Sequence, residues 1–156
     1  MRLRRKPDER RGTAAVEFVV VLPFLVPLLI GLWEVGRLVE VEQVLANACR
    51  DGGRQIATGN VSISTAQTEM VNVLARNGIT ANTNQITITN VTNASRNDPT
   101  TCNQLDQWHI QIQIPFNSVR WILLNQVTNV TTLTGQSDWF SMKDIPITVN
   151  TTIPSS

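Results

Sequence analysis

Residues 12–33 read GTAAVEFVVVLPFLVPLLIGLW. Between Thr13 and Trp33 there are 21 residues, and Glu17 is the only charged one. At ~1.5 Å of rise per residue an α-helix of that length covers about 30 Å, the thickness of bilayer hydrocarbon. Leu, Val and Ile dominate the run, so insertion is expected to be favourable despite Pro23 and Pro27. A secretory signal peptide would need a small-residue cleavage site directly after the apolar run. Trp33-Glu34-Val35-Gly36-Arg37 offers none, and Ala46-Asn47-Ala48-Cys49 lies too far along to act as a lipoprotein site. The span is therefore expected to be retained as a transmembrane helix.

Outward from the span, charge is distributed unevenly. Residues 1–12 carry Arg2, Arg4, Arg5, Lys6, Arg10 and Arg11 against Asp8 and Glu9, a net of +4, and the remaining chain carries a net of −3. A basic head before an apolar span predicts a single-pass cytoplasmic-membrane protein with its N-terminus in the cytoplasm and its C-terminal part outside. The head is short and polar and contains Pro7, so residues 1–12 are expected to be a disordered leader. Beyond residue 60 the chain is rich in Thr, Asn, Ser and Gln and poor in Lys and Arg, which argues against nucleic-acid binding.

Glu17 needs an account of its own. A carboxylate at the centre of a membrane helix costs roughly 2.5–3.5 kcal/mol on insertion scales. One turn inside the span it can snorkel to the head groups, or it can pair with a cation at the same depth. Gly12 lies five residues before it, so a cut after Gly12 would put the new amine on Thr13 and make Glu17 the fifth residue. Pro23, Pro27 and Gly31 follow at steps of four and stack on one helix face, where they predict either a tolerated kink or a place for local unwinding.

Glycine followed by an apolar helix with glutamate at mature position five resembles the processing site of type IV prepilins and pseudopilins. The wider run RRGTAAVEFVVVLPFLVPLLIGLWEVGR, with its small-Ala-Val-Glu-Phe start, Leu-Pro element and Glu34-Val35-Gly36-Arg37 close, is similar to the TadE-like family of tight-adherence (Tad) pilus assembly proteins. The likeness covers residues 10–58. It implies that prepilin peptidase cuts between Gly12 and Thr13, and that Glu17 sets subunit register. It implies as partners the lipid bilayer, other pilin or pseudopilin subunits and the Tad inner-membrane platform. Thr13 stands where pilins commonly carry Phe or Met. The function it implies is that of a non-catalytic minor pseudopilin of a Tad-type pilus or related secretion system.

Past the span, Val35, Leu38, Val41, Leu45, Ala48, Gly52 and Ile56 recur at three- or four-residue steps and predict an amphipathic stalk helix over 34–60, stopped near Ala57-Thr58-Gly59-Asn60. Residues 61–156 are expected to form the exported domain. A second helix is predicted over Ser64–Asn77, capped by Ser64 or Thr65. Alternating β-branched residues predict strands at 85–92 and 108–114, with Trp108, Ile110, Ile112 and Ile114 facing inward. Further strands are predicted at 133–140 and 145–153. Val119–Leu124 is an apolar patch. The fold class is α+β: a long membrane and stalk helix, then a small antiparallel sheet with one further helix, as in pilins.

No catalytic constellation is visible. His109 is the single histidine and falls on the polar side of its strand, without a nucleophile-and-acid pattern. Asp138 and Asp144 flank a loop but follow no calcium-binding order, so neither metal nor cofactor is expected. Cys49 and Cys102 are the two cysteines. An oxidising compartment allows a bridge between them, and two buried thiols are the other reading. Asn-x-Ser/Thr sequons start at Asn60, Asn90, Asn93, Asn129 and Asn150. They support an alternative function, a single-pass anchored extracytoplasmic binding protein of type II glycoprotein character that never joins a fibre.

Overall fold

The computed structural model describes residues 9–119 and 131–143, with side chains from Gly12 onward. One helix dominates: α1 runs without a break from Glu9 to Ala57, 49 residues, through both Pro23 and Pro27. Of the head that was expected to be disordered, residues 1–8 lie outside the described residues. Glu9 to Gly12 form the first turn of α1, because no breaker separates them from the apolar run. Helix α2 spans Ile63–Arg76. Three strands, β1 (Ile86–Asn90), β2 (Gln107–Pro115) and β3 (Thr132–Phe140), form an antiparallel meander in the order β1-β2-β3. This is the expected α+β architecture. The predicted strand over 145–153 and all of the apolar patch after Val119 lie outside the described residues.

The halves of α1 differ in what they touch. Every residue from Gly12 to Leu29 is exposed, and the first buried one is Glu34. From Val41 onward one stripe sinks into the domain: Val41, Leu45, Ala48, Cys49 and Ile56 are at most 1 % exposed. The stripe departs from the expected one at its lower end. Seven residues below Val41 is Glu34, almost in line with it at 3.6 residues per turn, whereas Val35 falls about a third of a turn round the helix. Glu34 is accordingly 5 % exposed and Val35 46 %.

The sheet meets this stripe with its inner face. Trp108, Ile110, Ile112 and Ile114 of β2 are fully buried, as their alternation requires. On β3 the contact with α1 is closest at Gly135. A Cβ built there would lie 2.7 Å from the Leu45 Cβ and 2.9 Å from its carbonyl oxygen, so only hydrogen fits between strand and helix backbone. Helix α2 also packs on the buried stripe of α1, with Met70 against Gly52. Its cap is Ser62 and neither Ser64 nor Thr65: the Ser62 hydroxyl accepts from the Thr65 amide at 3.3 Å. Ser64 and Thr65 instead hydrogen-bond their hydroxyls to it.

The direction of the sheet follows from these contacts. Gly135 lies at Leu45, the Trp139 ring lies at Gly53, and the Met142 amide donates to the Ala57 carbonyl at 2.7 Å. Strand β3 therefore runs alongside α1 in the same sense, away from the apolar half. The β2–β3 connection falls at the end nearest the span, where Arg37 Nε donates to the Val119 carbonyl at 3.3 Å.

Candidate functional site on the leading half of α1

The residues singled out by the sequence share the exposed half of α1. Thr13 and Glu17 are one turn apart on the same helix face, with about 6 Å of axial rise between them. Glu17 is surrounded by bare apolar surface: Val16, Phe18, Val19 and Val20 are each 58–65 % exposed. A Cβ at Gly12 would meet nothing within 4 Å. That glycine is not demanded by packing, and in a helix interior it weakens the turn by roughly 1 kcal/mol relative to alanine. Pro23, Pro27 and Gly31 lie higher on the same bare helix, which stays α-helical throughout. Among the described residues one helix is long and apolar enough to cross a membrane, and its most apolar stretch is not buried at all.

The junction between bare helix and domain holds a residue whose state the sequence reading missed. Both Glu34 carboxylate oxygens are buried and make no hydrogen bond among the described residues. Arg37, three residues on, pairs with Glu40 at 2.9 Å. The signal was available in the phase of the stripe, since 34, 38, 41, 45 and 48 share a face. A buried carboxylate left unsatisfied is costly by some 1–3 kcal/mol or more. It stands in the Glu34-Val35-Gly36-Arg37 motif that closes the span.

The remaining candidates fall into structural roles. In the structure Cys49 and Cys102 are both buried and not bridged to each other. They face different neighbours. Cys102 Sγ donates to the Pro99 carbonyl at 3.0 Å and lies 3.2 Å from Ser141 Oγ, while Cys49 packs against β2 at Ile112. Burial pushes the Cys49 thiol up from 9.0 to about 11, against a smaller lowering by its bond with the Ile112 backbone. At pH 8 the folded chain is expected to hold ~100-fold less Cys49 thiolate than the unfolded chain, and its reaction with a disulfide reagent to be slower by at least that factor. Timed reaction with and without denaturant checks this. Because the raised value favours the protonated form only in the fold, the associated stability is whole below pH 9 and is lost as pH rises toward 11.

His109 and Asp138 are cross-strand partners on the outer sheet face, with Nδ1 and Oδ1 2.7 Å apart. Asp138 is thereby committed, and Asp144 lies outside the described residues. No three His, Cys, Asp or Glu side chains cluster among the described residues. Of the sequons, Asn90 is buried. Its amide donates to the Arg96 carbonyl and to Asp106 Oδ2, both at 3.0 Å, and its oxygen accepts from Asn93 N, so it has no room for a glycan. Asn93 is half-buried, Asn60 is exposed, and Asn129 and Asn150 lie outside the described residues.

The family model that matches the chain is that of the TadE-like protein, over residues 12–54. The match begins at the glycine of the suspected cut and ends three residues before α1 does, so it covers the span and most of the stalk and none of α2 or the sheet. The match falls on the residues whose motifs carry the resemblance, and over that stretch the chain is similar to the TadE-like family. No curated protein and no solved structure matches the chain significantly.

Proposed function

We propose that the protein is a TadE-like minor pseudopilin, non-catalytic, that takes part in assembling a Tad-type pilus or a related secretion system. The observation that carries this reading is the Gly12–Thr13–Glu17 register at the foot of a bare apolar helix that passes without a break into a folded head. The bare half of α1 has no partner surface within the described domain, so the lipid bilayer and then the helices of neighbouring subunits are its natural surroundings. Prepilin peptidase removes residues 1–12. The Thr13 ammonium of one subunit and the Glu17 carboxylate of the next then pair at one depth, which fixes axial register as a helix is added. The head remains on the extracytoplasmic side, and the Tad inner-membrane platform receives the span.

Two outcomes test this. N-terminal sequencing of the membrane-extracted protein, from cells with an active prepilin peptidase, should find Thr13 first; an intact Met1 would remove the processing step. Glu17→Gln is expected to leave membrane insertion unchanged and to reduce pilus-associated protein several-fold, as judged by shearing cells and blotting both fractions. Normal piliation in that variant would leave Glu17 as a snorkelling residue. The anchored binding-protein alternative has less to stand on. The cleft at the far end of the domain, lined by Thr58, Asn60, Met142 and Lys143, is open, and the Lys143 ammonium in it already donates to the Thr100 carbonyl.

A further inference from the structure

We propose that the end of the head farthest from the span carries an apolar contact surface for a second copy of this chain, anchored beside it in the same membrane. Outside α1, the large apolar side chains left exposed among the described residues are Val91, Leu105, Phe140 and Met142, each 54–69 % exposed. All four lie at one end of the sheet. Val91 N donates to the Gln107 carbonyl at 2.8 Å, and Gln107 pairs with Phe140. Val91 follows the buried Asn90 and Phe140 follows the inward Trp139, so both stand on the outer face, two strand spacings or about 10 Å apart. Leu105 N donates to the Ser141 carbonyl at 3.0 Å, which brings Leu105 to the corner held by Phe140 and Met142.

Leu105 marks the patch as more than leftover surface. Its φ is +64°, in the left-handed region that a residue with a Cβ enters only at a cost. The backbone imposes this twice. Leu105 is the third residue of the turn Asn103–Asp106, closed by the Asp106 amide on the Asn103 carbonyl at 3.3 Å. It is also the first residue of a bulge: Leu105 N donates to the Ser141 carbonyl and Ser141 N donates to the Asp106 carbonyl at 2.8 Å, so two residues face one. Glycine or asparagine fills both positions with less strain. Leucine stands there instead and is 69 % exposed, so it strains the turn and adds little to the core. Contact with a partner gives that side chain a use.

The occupant follows from where the patch sits. Helix α1 is unbroken from the span to Ala57, whose carbonyl accepts from the Met142 amide at 2.7 Å. The steps from Trp33 to Ala57, at ~1.5 Å each, lift the patch about 36 Å above the outer end of the span. The chain's own bilayer is out of reach of these side chains. A neighbouring copy in the same membrane holds its patch at the same height, and Val91 and Phe140 face sideways from the sheet surface that turns away from α1. The rim suits a self-contact. Arg96, Asp98 and Lys143 bring both signs of charge to this end, and Thr92, Asn103 and Gln104 are exposed and uncharged. An apolar centre within such a rim is complementary to itself across a two-fold axis, whereas a rim of one sign would repel. Four side chains make a patch of a few hundred Å², against ~800 Å² per partner in a stable interface. The contact is therefore weak between free heads and becomes effective when both are confined to one membrane.

Thiol cross-linking of the full chain in lipid vesicles tests this. Gln104→Cys places a thiol at the exposed rim, and a short bis-maleimide links two such copies. The parent chain, whose two cysteines are buried, is the blank, and Glu69→Cys on the exposed side of α2 measures chance collision. Dimer yield at Gln104→Cys is expected to be at least ~10-fold above that at Glu69→Cys. Adding Leu105→Asn or Phe140→Gln should return it to the collision level. Leu105→Asn also separates contact from folding: asparagine tolerates φ near +64°, so the urea midpoint should match or exceed the parent's. A lowered midpoint would assign Leu105 to the fold and overturn the proposal. Equal yields at the two cysteine sites, or a yield that survives both substitutions, would overturn it as well.

Discussion

Gly135→Val is expected to destabilise the domain by about 3 kcal/mol, and to do so in a way that trimming its neighbour cannot repair. The atoms a side chain would strike are the Leu45 Cβ at 2.7 Å, its carbonyl carbon at 2.8 Å and its oxygen at 2.9 Å. Two of these are helix backbone, which moves only if α1 moves as a body. Leu45→Ala removes none of them, so the double variant should show the sum of the two losses and no rescue. Gly52→Ala is the comparison: the obstacle there is Met70 Sδ at 2.5 Å with Cε at 2.7 Å, the end of a flexible side chain that can change rotamer. It should cost under about 1.5 kcal/mol. Urea unfolding of the detergent-solubilised chain, followed by tryptophan fluorescence, separates the cases through the midpoint. Equal losses at Gly135 and Gly52 would mean that β3 and α1 are less closely held than the geometry requires.

What made the fold legible was periodicity over long runs. The alternation from Trp108 to Ile114 placed β2 and its buried face, and the steps from Leu38 to Ile56 placed the stalk. Turn chemistry was legible too: Gly59 and Gly78, at φ +68° and +71°, lie just past the ends of the two helices. The misreadings have local causes. Ser62, Ser64 and Thr65 can all cap, and only the chain path selects the first. Val35 suits the stripe by being apolar, although the phase from Val41 points to Glu34. The side-chain bonds that order the loop around Asn90, Asn97 and Asp106 leave no periodic trace in the sequence. The candidate site was legible for the opposite reason. Gly12 and Glu17 make no contact with the domain, so the whole of their pattern is in the sequence.

Trp108→Ala is expected to cost about 3–5 kcal/mol, enough to unfold much of a head of this size, while leaving the protein in the membrane. Trp108 is fully buried, pairs across the ladder with Asn90 on one side and Trp139 on the other, and joins the sheet to the α1 stripe. Its indole N–H is buried without a hydrogen-bond partner among the described residues. Most of its contribution is therefore apolar contact, and Trp108→Phe should cost far less, since the smaller ring is partly offset by loss of an orphaned donor. A Phe variant as unstable as the Ala variant would show that the indole N–H is bonded after all. Membrane insertion depends on none of this. Gly12 to Leu29 are exposed and lean on nothing in the head, so both variants should fractionate with membranes at the level of the parent chain. Limited proteolysis of intact spheroplasts should digest the head of Trp108→Ala and spare a fragment containing the span. If loss of the head also releases the span, α1 is held in place by the domain, and the separation of a self-sufficient anchor from a packed head fails.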